Sequence, residues 1–392
     1  MTGRNITTIV SATMLAIFYS TAAKSIETDN KTADLVSLTR LMENVETSIK
    51  INLDANRFKG IYADDQQDDY QYDSQLRRAR LTLKLPIFNS WSSKLQVAIN
   101  EGDDTYDIKD LYLKYDGFDV ADIKIGKFKE PFGLENITSS ANNPFTERAM
   151  SIFAIGRNKG ISFSNANSKY SWNIGAYDIQ QNGKVKADAN KAYTARATFS
   201  PTNTVNSYSH MGLSYSKRDL QGVEYEIKTN GGVDSAINFI DTKNIATETI
   251  DKSGLELAWG RGPLSLQSEY QQLQINAIDA LEDATYKGYY GQISYFLTAD
   301  HRAYKKGRLS KVTPSSTNGA WELSLRKGIV QSVEIGVENN NSDIDIETTV
   351  LGLNYYHNSK IQLMLNAIDT DVSAINTADV GSALSLRLQI RI

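Results

Sequence analysis

Apolar and polar residues alternate with a period of two along most of the chain. At the C-terminus, Leu384, Leu386, Leu388, Ile390 and Ile392 share one face of an extended segment. Ser385, Arg387, Gln389 and Arg391 share the other. The same alternation sets Leu95, Val97 and Ile99 against Lys94, Gln96 and Asn100, and Leu111, Leu113 and Tyr115 against Asp110, Tyr112 and Lys114. It also sets Trp321, Leu323 and Leu325 against Glu322, Ser324 and Arg326. Successive side chains of a strand point to opposite faces, so each segment predicts a strand that is oily on one side and wet on the other. The segments run about 9–11 residues, the length a tilted strand needs to cross a bilayer. Many carry Tyr, Trp or Phe near an end. Lipid outside and water inside suits a membrane barrel. A soluble secreted β-sandwich or adhesin, burying one face of each sheet, is the competing reading.

Connections alternate in length. Residues 86–92, 117–120 and 357–359 are short links, whereas 59–74, 128–159, 219–253 and 369–381 are long polar stretches. Short periplasmic turns and long external loops are the barrel rhythm. The strong segments come to an odd number, and a bacterial single-chain barrel closes with an even one. Residues 305–313 could hide a further strand, and 161–165 could be loop. The predicted fold class is therefore all-β: a closed transmembrane antiparallel β-barrel of sixteen strands, with eighteen as the alternative.

The N-terminus reads differently. Arg4, the apolar run over 6–19 and the small residues Ser20, Thr21, Ala22 and Ala23 predict an export signal over residues 1–22. Leu35, Leu38, Leu41 and Val45 recur at helical spacing, so residues 23–47 predict a short periplasmic segment with a helix. The barrel is expected over 48–392.

Composition narrows the function. The net charge of -4 argues against a nucleic-acid partner, and the absence of Cys removes disulfide and thiol chemistry. The 3 histidines, His210, His301 and His357, lie far apart, and no Gly-x-Ser-x-Gly or Walker loop occurs. No catalytic residue, metal or cofactor is expected. Residues 156–160, Gly-Arg-Asn-Lys-Gly, resemble a phosphate cradle but read better as a connection into the next strand. The acidic tract with Asp64, Asp65, Asp68, Asp69 and Asp73 reads as a solvated external loop.

Sorting charges by face points to a channel. Ala79, Leu81, Leu83 and Leu85 take the lipid side, so Arg78, Arg80, Thr82 and Lys84 turn inward. Lys94, Lys114, Lys124, Arg196, Arg326, Arg387 and Arg391 fall on water-facing positions, against Asp110 and Glu322 as the clear acids. A pore wall rich in Arg and Lys selects for anions, and low-dielectric walls focus its field.

Two stretches carry a resemblance: IGKFKEPFGLENITSS over 125–140, and YYGQISYFLTADHRAYKKGRLSKVTP from 289 followed by GAWELSLR. A weaker match is FIDT at 239–242 with LELAWGRGPLSLQSEY at 255–270. The chain resembles the phosphate-selective porin O and P family of Gram-negative outer membranes. The resemblance implies a homotrimer of sixteen-stranded barrels in the outer membrane, among lipid and lipopolysaccharide. It implies passive diffusion of inorganic anions, phosphate and chloride, through a pore narrowed by an infolded third loop, here 128–159. It also implies a phosphate site at Arg77, Arg78, Asp110, Ser139 and Ser140. Guanidinium groups fork onto phosphate oxygens. The chain departs from the family in three ways. Asn136 stands where the family carries a lysine after the GLE element, so a general, weakly selective porin is the alternative. Strict alternation lets only one of Arg77 and Arg78 face inward unless a bulge re-aims the other. The chain ends in Ile392 instead of an aromatic residue.

Overall fold

A computed structural model describes residues 44–63, 69–99, 105–179, 190–238, 240–241, 244–336, 344–374 and 377–392. The expected export signal and most of the 23–47 segment lie outside the described residues, as do Asp64, Asp65 and Asp68. The first strand opens at Glu46, so the barrel takes in the last two residues assigned to that segment.

In chain order the strands are β1 (Glu46–Gly60), β2 (Gln71–Phe88), β3 (Trp91–Ile99), β4 (Tyr106–Tyr115), β5 (Asp122–Lys129), β6 (Arg157–Ala166) and β7 (Tyr170–Asp178). They continue with β8 (Lys191–Phe199), β9 (Ser207–Tyr225), β10 (Lys228–Thr229), β11 (Ile240–Asp241), β12 (Ile245–Arg261) and β13 (Leu264–Ala277). The last are β14 (Ala284–Phe296), β15 (Tyr304–Lys305), β16 (Arg308–Leu309), β17 (Ala320–Ile335), β18 (Asp345–Tyr356), β19 (Ile361–Ala374) and β20 (Thr377–Arg391). All but the four two-residue strands pair antiparallel with their neighbours in one closed sheet. That is the sixteen-stranded barrel. Closure runs β20 onto β1 without a break from Lys50↔Arg391 to Gly60↔Gly381. Ile392 completes it, exchanging N–H···O bonds with Ile49 at 2.8 and 2.9 Å.

The lipid side follows the alternation. Leu111, Leu113, Leu323, Leu325, Leu384 and Leu386 are exposed on the outer face, while Asp110, Glu322, Arg326, Ser385 and Arg387 are buried inside. Aromatic pairs mark the rim that carries the tight turns: Trp91–Tyr115 at 4.9 Å, Tyr170–Phe199 at 5.3 Å and Trp321–Tyr355 at 4.7 Å between ring centres. Amphipathic rings settle at the headgroup level.

Several expectations are corrected. Residues 369–381 are not a long connection, because β19 and β20 run on to Ala374 and Thr377. The reason is an inversion of polarity. In that stretch Asp369 and Asp371 are exposed outside, while Ile368, Thr370 and Val372 are buried inside. Above the bilayer the outer face meets water, so charged residues belong there. For the same reason β9 and β12 extend into 219–253, with Leu220, Ile245 and Ile250 buried. Residues 161–165 are barrel strand, whereas 305–313 contribute only the small ribbon Tyr304↔Leu309, Lys305↔Arg308. The alternative of eighteen strands falls with it.

A hydrophobic core sits inside the cylinder at the long-loop end. Phe145, Met150 and Phe153 of the loop between β5 and β6 pack there on Leu273, Tyr286, Val330, Ile346 and Ile368 of the wall. Apolar loop residues buried against apolar inward positions anchor the infolded segment. The long link between β14 and β17 enters from the opposite, tight-turn end. Its Leu309 packs with Leu134, Tyr208 and Ala258.

Candidate functional site

The loop between β5 and β6 contains an α-helical turn, Leu134–Ile137, and two 3-10 turns, Ser140–Asn142 and Ser151–Phe153. Glu269 on β13 caps the α-helical turn, accepting from the backbone N–H of Leu134 at 2.8 Å and of Glu135 at 2.7 Å. Gly133 makes this approach possible. It has φ +68, and a Cβ there would lie 2.7 Å from Gln271 Nε2. Further along, Asn354 donates to the Pro144 carbonyl at 2.9 Å, Arg302 to the Asn142 carbonyl at 2.7 Å and Gln389 to the Ala141 carbonyl at 3.2 Å. Asn366 Oδ1 accepts from Thr146 N at 2.7 Å. The loop is thus pinned to β13, β18–β20 and the link between β14 and β17, and it also touches β1 and β2.

The inner side is not uniform in charge. Many of its arginines are buried against carboxylates. Arg196 forks onto Glu256 at 2.8 and 2.5 Å and donates to the Gly307 carbonyl at 2.9 Å. Arg218 pairs with Glu130 at 3.0 Å. Arg302 pairs with Glu322 at 2.8 and 2.5 Å. Arg326 reaches Glu135 at 3.3 Å and lies over the Phe145 ring. Arg387 forks onto Asp54 at 2.7 and 2.6 Å, adds Glu147 at 2.7 Å and donates to the Thr146 carbonyl. Arg196, Arg326 and Arg387 therefore do not present free charge to the bore; their side chains are 5%, 5% and 1% exposed. The inward acids Asp54 and Glu256 were legible in the alternation around Leu53–Ala55 and Leu255–Leu257. Glu130, Glu135 and Glu147 were not, because they come from the ends of strands and from the loop.

One row of the wall is different. Arg391, Lys50 and Arg80 pair directly across β20, β1 and β2, three cations in one row. One step toward the loop end, Arg78 pairs across from Asn52. Ser140, from the infolded loop, accepts from Lys50 at 2.8 Å and from Arg78. With both donors aimed at its oxygen, the Ser140 hydroxyl proton is left to donate elsewhere. Among the described residues, none of Lys50, Arg78, Arg80 and Arg391 has a carboxylate within ion-pair distance. Like charges directly opposite are destabilising, so this row gains when an anion enters it.

The bulge condition is met. Asn52 pairs with Arg78 and Asp54 with Gln75, so Leu53 alone opposes Leu76 and Arg77. Arg77 turns to the inner side, where it holds Glu147 at 3.0 Å and Asp234 at 2.9 Å. It is brought near Arg78 but fastens two loops. Asp110, 4% exposed, accepts from Lys94 at 2.5 Å and from Arg157 at 2.6 Å. Lys124 lies over the rings of Tyr112 and Phe128. Lys114 pairs with Asp122 at 2.9 Å and Lys84 with Glu46 at 2.8 Å, both at the tight-turn end. Ser139 is exposed and accepts from Ala141 N at 3.3 Å, a contact internal to the loop. Asn136 is buried, donating to the Ile155 carbonyl at 3.0 Å.

Lys50, Lys129, Arg148 and Arg157 join this wall without having been expected there. Lys50 alternates inward with Asn52 and Asp54, so its signal was present. Lys129 and Arg157 pair at the strand ends where the chain turns into the lumen, and there alternation no longer predicts a side.

Comparison with known proteins agrees with this architecture. The family model described as phosphate-selective porin O and P matches residues 45–392. Porin O of Pseudomonas aeruginosa is 27% identical over 433 aligned positions, covering 97% of each chain. Among solved structures, Pseudomonas putida OprB has a TM-score of 0.59 at 11% identity, covering 90% of this chain and 96% of its own. The outer membrane channel DcaP of Acinetobacter baumannii has a TM-score of 0.59 at 12% identity, covering 89% and 97%. An anion-selective porin from Comamonas acidovorans has a TM-score of 0.56 at 13% identity, covering 88% and 100%. With the match running over the whole barrel, the chain belongs to the phosphate-selective porin O and P family and is an outer-membrane porin.

Proposed function

We propose that this porin passes small inorganic anions by passive diffusion and favours phosphate over chloride. The row Arg391–Lys50–Arg80, with Arg78 and Ser140 beside it, carries the reading. Its cations lack carboxylate partners among the described residues, whereas Arg196, Arg218, Arg302, Arg326 and Arg387 elsewhere on the inner side are each paired with a carboxylate. Guanidinium groups match phosphate oxygens in a fork, and a serine proton adds direction without charge. Asp110 keeps lone pairs beyond those given to Lys94 and Arg157, and so can accept from a protonated phosphate but gains nothing from chloride. No covalent chemistry is part of this reading. Porin O of Pseudomonas aeruginosa and the anion-selective porin of Comamonas acidovorans support it by likeness.

We further infer a homotrimer, since one of the structural neighbours, Vibrio cholerae OmpT, is described in a trimer form. Residues 1–22 would direct export, and residues 23–45 would remain periplasmic. Purified protein in planar bilayers tests the main reading. A potassium chloride gradient should give a reversal potential near that of chloride, and inorganic phosphate should block the chloride current. Cation preference would overturn it. Heat-modifiable trimer bands in detergent test the assembly.

A further inference from the structure

We propose that Lys129 is an anion-contacting residue of the constriction, held there by Asn136, and that it sets the preference for multiply charged anions. The inference rests on the anion-channel reading above. Lys129 Nζ donates to the Asn136 carbonyl at 2.7 Å and to Asn136 Oδ1 at 3.2 Å. An ammonium has three donors, so one remains. Among the described residues no carboxylate pairs with it, and the charges that act on it most strongly are those of Arg148, Arg157, Arg80 and Arg78.

The contrast with Asp110 gives the anchor its meaning. Lys94 and Arg157 are placed by a carboxylate, which cancels charge as it positions them. Lys129 is placed by an amide, which positions its Nζ without adding a countercharge. Asn136 is itself locked, because its Nδ2 donates to the Ile155 carbonyl at 3.0 Å and its own carbonyl also accepts from Arg148 at 3.4 Å. The lysine therefore supplies a cation at the position where Asn136 carries none. It stands at the entry of the infolded loop, while Ser140 stands further along the same loop beside Lys50 and Arg78. An anion between them would meet cations from the strand end and from the β1–β2 wall together. Separated cations favour an anion that can use several oxygens, as phosphate does and chloride does not.

The test is block of chloride current by inorganic phosphate, read on single channels of the full chain, so that only folded, inserted protein contributes. K129Q should raise the half-blocking phosphate concentration about tenfold, the loss of one charge-assisted contact. The chloride-to-potassium permeability ratio should fall less. K129R should stay within about twofold of the parent, since the charge is kept. N136D should weaken block about as much as K129Q, because it keeps the anchor but neutralises the ammonium. An unchanged block in K129Q, with the parent channel blocked normally, overturns this inference alone. A parent channel that phosphate does not block overturns the anion-site reading and this one with it.

Discussion

Arg77 grips Glu147 of the infolded loop through Nε and Nη2 at 3.0 and 3.2 Å, although strict alternation from Arg78 would aim it at lipid. The β-bulge at Leu76–Arg77 re-aims it. Glu147 also receives Arg387, and Arg77 also holds Asp234 of the loop between β9 and β12. One displaced residue in a strand therefore ties two loops to the wall.

Breaking that knot should loosen the barrel. E147Q removes one carboxylate from each of two arginines, leaving Asp54 on Arg387 and Asp234 on Arg77. Leaving a buried charge uncompensated costs about 3–5 kcal/mol; the remaining carboxylates and the 19% exposure of the Glu147 side chain place this case below that range. Guanidinium unfolding in micelles should show a loss of roughly 1–2 kcal/mol, the value of lost charge-assisted hydrogen bonds, with larger current fluctuations in bilayers. Parent-like stability would remove Glu147 from its role as latch.

The same carboxylate has a pH signature. Burial works to raise its pKa, but Arg387, Arg77 and Arg78 more than offset it and hold Glu147 well below the usual carboxylate range. Its folded pKa is thus below the unfolded value of about 4.3. The stability it contributes is full above that value and is lost as pH falls through the depressed folded one. The stability gap between parent and E147Q should be constant from pH 8 to about 5 and shrink only in stronger acid. A gap that already closes near neutrality would contradict the assignment.

The cationic row should control selectivity. R78E swaps a focused positive charge for a negative one beside Lys50 and Ser140, so anion preference should fall or invert. S140A keeps the charges and removes one hydroxyl. It should leave the reversal potential nearly unchanged and weaken phosphate block about three- to tenfold, the value of one hydrogen bond. If R78E conducts with the parent's preference, Arg78 does not face the permeant.

The segment over 297–319 should act as a second clamp from the tight-turn end. Arg302 binds Glu322 at 2.8 Å, Tyr356 at 3.1 Å and the Asn142 carbonyl at 2.7 Å. Tyr304 contacts His210 Nδ1 at 2.7 Å. R302A should release both the segment and the loop it holds, raising single-channel conductance and exposing residues 303–311 to protease. Parent conductance together with full protection would show that the segment is held by other contacts.

The barrel was legible because lipid and water impose opposite demands on neighbouring positions, and a period of two records them. Leu384 to Ile392 alone shows it. That pattern stopped being readable where the outer face leaves lipid, as at Asp369 and Asp371, because solvent lies outside there and a packed core inside. The expected site fared similarly. Arg78, Arg80 and Arg391 could be placed on the inner face from alternation, but whether an inward cation is free depends on what reaches it from elsewhere in the chain.

The order of oily and wet positions by itself determined a closed sheet with a watery interior rich in cations, since local alternation needs no knowledge of distant residues. Only the folded molecule decided which charges stay uncancelled. Glu135 and Glu147 reach Arg326 and Arg387 across roughly half the chain or more, and the bulge that turns Arg77 exists only against β1. Neutralisation is a matter of distances between segments remote in sequence, and no periodicity encodes those.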